Sequence, residues 1–185
     1  MTQTKAQSAL IEMNTRWLRQ ALDVLGRLDQ RRFANSPKGM APHRVSSHLR
    51  HIIEFYECFL DGLEPTHIDY DARRRDLTLE SSIAVAAERI CGIIARLEAE
   101  ALLQYDGVLF VRMEDAAGFD LADPFLMSSV ARELMTLSSH TIHHFALIAM
   151  TLRGHGFVLD PDFGVAPSTL RYREQRQAVR AAEAA

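Results

Sequence analysis

Apolar residues recur at spacings of three and four along four long stretches of this chain, and side chains at that period line one stripe of an α-helix. The first stretch runs from about Ala6 to Leu28 and carries Leu10, Met13, Trp17, Leu18, Leu22 and Leu25 on its stripe. The second runs from about Pro42 to Leu63, with Val45, His48, Leu49, Ile52, Phe55 and Phe59, and closes on Asp61-Gly62 and Pro65. The third spans about Leu79 to Gln104, with Ile83, Ala87, Ile90, Ile94, Leu97 and Leu102. The fourth covers about Phe125 to Arg153 and stops at Gly154-His155-Gly156. Ser36-Pro37-Lys38-Gly39 punctuates the break between the first two. Each stripe must be buried against another element, so four of them joined by one lengthy connection predict an all-α fold, a four-helix bundle with one long crossover. The segment Val108–Met113 is short, β-branched and partly alternating, which suits a strand or an extended crossover. Asp160 to Ser168 reads as a structured loop, and Leu170 to Ala185 as a short polar, alanine-rich helix.

At 185 residues and 48% hydrophobic composition the chain supports one domain over 1–185, with a core about 5–155 and a C-terminal loop and tail, 156–185. A net charge of −3 offers no general attraction to nucleic acid or to anionic membranes, so neither is expected as a partner. The two cysteines, Cys58 and Cys91, fall inside helical patterns and read as buried, reduced thiols. No secretory signal shows at the N-terminus, and no apolar run reaches the ~18 residues that span a bilayer. The expectation is a soluble, cytoplasmic protein.

Three of the eight histidines lie in Ser139-His140-Thr141-Ile142-His143-His144-Phe145, inside the fourth helical stretch. At about 100° per residue His140 and His144 stand roughly 40° apart, one turn above the other, and two imidazoles so placed can grip one metal ion from the same side. Glu133 falls about 20° from His140 on the same stripe, and His143 about 60° to the other side. His48 and His51 form a second pair on or beside the stripe of the second helix. A buried imidazole without partners costs on the order of 1–3 kcal/mol. Facing pairs are hard to satisfy with ordinary acceptors, and a shared metal satisfies them at once. Wheel geometry alone puts His48 nearer the stripe centre than His51 and leaves either as the second-helix ligand.

The run Ser47-His48-Leu49-Arg50-His51-Ile52-Ile53-Glu54-Phe55-Tyr56-Glu57-Cys58-Phe59, followed far downstream by His140-Thr141-Ile142-His143-His144, resembles the DinB/YfiT-like family of four-helix metalloproteins. It is also similar to the related N-terminal domain of ergothioneine-forming sulfoxide synthases. The resemblance implies His51, His140 and His144 as metal ligands, with His48 and His143 lining the pocket, supporting the ligands or replacing one of them. It further implies thiol-dependent transfer or isomerisation, or hydrolysis, on a small-molecule substrate, with a low-molecular-weight thiol as possible partner. Where many relatives continue with an Arg-Gly-Gln-type sequence, this chain has Phe145-Ala146-Leu147, so the far side of that helix is packed apolar.

Three neutral imidazoles with open positions make a catalytic arrangement, whereas a closed structural site adds a fourth protein ligand, here His48 or His143. Nitrogen ligands suit zinc, nickel or iron(II), zinc foremost, over magnesium and calcium. Glu133 is the candidate base or orienting carboxylate. Tyr70 and Arg73, in the charged connection Tyr70–Asp76, are candidate substrate-pocket residues, Arg73 as a clamp for a carboxylate or phosphate. The Asp160–Thr169 segment is either a lid over the bundle's open end or a plain connector. A non-catalytic metal- or ligand-binding bundle, or a dimeric stress-response scaffold, is the alternative function, and a homodimer is the expected assembly.

Overall fold

A computed structural model describes residues 2–112 and 125–183. The described chain is mostly helical, in the order α1 (Thr2–Leu25), α2 (Gln30–Ala34), α3 (Val45–Asp61), β1 (His67–Asp69), a single 3-10 turn (Tyr70–Ala72), α4 (Thr78–Ser81), α5 (Ile83–Leu97), α6 (Glu100–Leu103), β2 (Val108–Arg112), β3 (Leu126–Ser129), α7 (Val130–Gly154) and α8 (Pro167–Glu183). Helices α1 and α3 each pack on α7, and α5 closes the ring by packing on both α1 and α3. Their stripes meet in one core, where Trp17, Tyr56, Phe59, Ile90 and Phe145 are fully buried.

Two helical expectations change. Leu126–Ser129 continues the apolar pattern of the fourth stretch but forms β3, paired antiparallel with β2 through Val108↔Ser129 and Phe110↔Met127. The helix starts only where the Ser129 side chain accepts the backbone N–H of Arg132. The third stretch breaks at Ser82, whose side chain caps α5, and again after Leu97, giving α4, α5 and α6. The Val108–Met113 expectation of a strand is met by β2 as far as Arg112, and Met113 lies outside the described residues. With β1 parallel to β2, the strands make a three-stranded sheet in the order β1-β2-β3, so the fold is not purely helical.

After α7 the chain turns back over the α1–α7 side. Phe163 stacks on Phe145 with ring centroids 4.7 Å apart, and Trp17 meets Phe145 edge-on at 6.4 Å. Gly164 makes this approach possible, because its φ is +70 and an added Cβ would stand 2.9 Å from Phe145 Cβ. The segment is thus anchored on α7 and at the end of α1, where Arg27 also donates to the Val158 carbonyl. Cys58 is half-buried, but Cys91 is exposed rather than buried, and both are free thiols. Among the described residues no helix is long and apolar enough to cross a membrane.

Candidate metal centre

On α3 the core face is built by Leu49, Ile52, Ile53 and Tyr56, and on α7 by Leu137, Thr141, Phe145 and Ile148. Histidines 48, 51, 140 and 144 stand on the shoulders of those faces, half-buried, where the two helices meet. His140 Nε2 lies 3.1 Å from His51 Nε2 and 3.2 Å from His144 Nε2. A ring nitrogen carries either one N–H or one lone pair, so His140 Nε2 cannot make good hydrogen bonds to both neighbours. A cation between the three uses all three lone pairs. At metal–nitrogen distances of 2.0–2.1 Å, tetrahedral ligands stand about 3.3 Å apart and mutually perpendicular ones about 2.9 Å. The observed separations fall between these values, and one ligand atom from each of His51, His140 and His144 lies within 4.8 Å of the others. The residues fit a metal ion.

The electrostatics agree with that geometry. Burial, reinforced by His140, pushes both His51 and His144 down to about 3, and the Arg73 guanidinium adds to the effect on His51. Both rings are therefore neutral at ordinary pH, the form that ligates metal. His48 is lowered as well, by burial first and then by His43.

His48 and His51 differ in the direction of their rings. His48 presents Nδ1 to His144 Nδ1 at 3.2 Å, whereas His144 turns its Nε2 to His140. His143 is exposed and meets the His144 ring edge-on at 5.2 Å. Among the described residues, the group whose ligand atoms lie together is His51, His140 and His144.

Aromatic stacking forms the wall beside the histidines. The Phe55 ring stacks on His140 with centroids 4.1 Å apart and on Tyr70 at 5.0 Å, while the Arg73 guanidinium carbon stands 4.9 Å from the Phe55 centroid. Phe55 belonged to the apolar stripe and nothing in its spacing marked it as a site residue. Tyr70 is fully buried, so it lies behind Phe55 rather than on an open pocket surface. Its hydroxyl donates to Glu133 Oε2 at 2.9 Å, and Ser128 Oγ donates to Glu133 Oε1 at 2.5 Å. Burial and the adjoining carboxylate hold the Tyr70 hydroxyl far above its usual range. Glu133 thus adjoins the wall beside the histidines through Tyr70, which stacks on Phe55. Arg73 also lines a cavity of about 240 Å³ with Glu54, Glu57, Cys58, Asp61 and His67, one to three turns along α3 from His51.

No family model matches the chain, and no solved structure matches it. A stretch of 110 residues is 34% identical to "FK506-binding protein 5" of Rhizopus delemar, covering 58% of this chain and 28% of that protein. The matched stretch spans little more than a quarter of that relative.

Proposed function

We propose that the chain is a DinB/YfiT-like four-helix bundle in which His51, His140 and His144 hold one divalent metal ion, and that it works as a metal-dependent enzyme on a small molecule. The observation that carries this reading is the convergence of three imidazole ring nitrogens from α3 and α7, with His140 Nε2 within 3.2 Å of both neighbours. Zinc is the first expectation, with nickel and iron(II) compatible with the same ligands. Three protein ligands leave coordination positions open, as catalytic sites require. When bound, such an ion supplies Lewis acidity, the chemistry that both thiol-dependent transfer and hydrolysis use.

The chain's own residues prepare that chemistry. Burial keeps His51 and His144 unprotonated, so no proton has to leave them before they ligate. Phe55, stacked on His140, fixes the plane of that ring and excludes water from one side of it. Tyr70, held by Glu133, backs Phe55 and prevents it from rotating away. Arg73 brings positive charge to the edge of the site, suited to a substrate carrying a carboxylate or a thiolate. Thiol-dependent transfer is the first subclass and hydrolysis the second.

Titration with cobalt(II) tests the reading. One equivalent per chain is expected, and added low-molecular-weight thiol is expected to produce a sulfur-to-cobalt charge-transfer band. A bound ion whose spectrum no thiol or small anion perturbs would overturn the open, catalytic arrangement and leave a structural metal.

A further inference from the structure

We infer that His48 is a positioning residue for the metal centre, accepting the Nδ1–H of His144 and thereby leaving the His144 Nε2 lone pair free to face His51 and His140. The inference rests on the metal reading above and concerns a residue outside the ligand set.

A neutral imidazole has one N–H and one lone pair, on different nitrogens. His48 and His144 present the same atom, Nδ1, to each other at 3.2 Å, so one must donate and the other accept. If His48 donates, the His144 proton sits on Nε2, which points at His140 Nε2 and is then closed to a metal. If His144 donates, its Nε2 is bare and the site can form. The two arrangements exclude one another, and only the second ligates. A metal ligand is usually held by a carboxylate or a carbonyl on its far nitrogen, and here that acceptor is another imidazole.

The surroundings of His48 leave it no competing use. Its Nε2 is buried without a hydrogen-bond partner among the described residues, whichever proton arrangement holds. The ring of His43 lies parallel over it, centroids 5.8 Å apart and 10° between planes. His48 is also held away from direct ligation, because the nitrogen it offers meets the far side of His144, with ring centroids 5.4 Å apart.

The test compares His48→Phe, which keeps a flat ring for His43 to stack on but removes the acceptor, with His48→Asn, which keeps an acceptor on a shorter side chain. Zinc affinity is measured by chelator competition, the cobalt(II) d–d spectrum is recorded, and the unfolding midpoint of the metal-free protein serves as control. His48→Phe is expected to lose 10–100-fold in zinc affinity, with a shifted cobalt spectrum and a metal-free midpoint close to wild type. His48→Asn is expected to recover part of the affinity. Wild-type affinity in His48→Phe would overturn the inference while leaving the metal site intact. Equal losses in both variants, tracking a fall in the metal-free midpoint, would show His48 to be packing only. A wild type that binds neither metal would overturn this inference together with the proposed function.

Discussion

Helix α7 meets α1 along one side and α3 along the other, and the two seams treat their buried polar groups in opposite ways. On the α1 side Trp17, Asn14 and Tyr56 have protein partners, while Gln20 Oε1 of α1 is buried without one. Trp17 Nε1 donates to Ser138 Oγ at 3.0 Å, Asn14 Nδ2 donates to the carbonyls of Leu10 and Leu134, and Tyr56 donates from α3 to Asn14 Oδ1 at 2.6 Å. On the α3 side three imidazoles turn the same kind of atom toward one point, where no set of tautomers pairs them all. Along the first seam the polar groups of Trp17, Asn14 and Tyr56 are paired, as folding demands. The second is open, and an open set of lone pairs in a fixed geometry is what a metal ion requires. One helix thus carries stability on one side and the candidate chemistry on the other.

Damage to the α1 seam is expected to lower stability without removing metal. The largest effect is expected from Trp17→Ala, which empties the space against Phe145 and should cost about 3–5 kcal/mol in chemical denaturation. Metal per folded chain should stay at the wild-type value, and its loss would erase the distinction between the seams. Asn14→Ala leaves the Tyr56 hydroxyl and the Leu134 carbonyl without their partner, for a loss of about 1–3 kcal/mol by the same measurement. Gly164→Ala forces a side chain into a left-handed backbone against Phe145 and should cost about 1–2 kcal/mol, again with full metal occupancy.

Changes on the α3 seam should behave in the reverse way. The double variant His140→Leu/His144→Leu replaces mutually frustrated polar groups with apolar ones. Its metal-free unfolding free energy is expected within about 1 kcal/mol of wild type or above it, while metal binding disappears. A marked loss of stability would mean that the histidines hold the helices together without metal. The smallest expected effect is a difference of slope with pH. His51 and His144 are held near 3, below the ordinary 6.5, so the unfolded chain takes up their protons first as pH falls. The stability of the metal-free protein is therefore full above about 6.5 and declines between there and about 3. Thermal melts across that window should show a shallower decline in the leucine double variant, and equal slopes would contradict the neutral-histidine assignment.

The four long helices were legible because their stripes are long and regular, and the elements that escaped depend on distant partners. Leu126-Met127-Ser128-Ser129 carries no local sign of a strand, and only β2 makes it one. Ser82 did carry a local sign, a capping residue ahead of Ile83, which the continuous stripe masked. At the site, spacing brought the right helices together but left His48 and His51 open, because both occupy the same shoulder of α3. What separates them is which nitrogen each ring aims at, a matter of side-chain direction that a helical wheel does not contain. Glu133 shows what else a helical wheel omits. Its angle on the wheel matches His140, but seven residues of rise carry it about 10 Å along the axis, to Tyr70 and Ser128 beside the sheet. Phe55 was visible as a core residue, and its service as the wall beside His140 arises only from the packing of α3 on α7.

The most direct test of the central claim is elemental analysis of untagged protein beside His51→Ala and His140→Ala/His144→Ala. About one zinc, nickel or iron per chain in the wild type, lost in both variants while each stays folded, is the expected result. A wild type that takes up no metal even after loading, or variants that keep it, would contradict the claim that these three histidines form a metal centre.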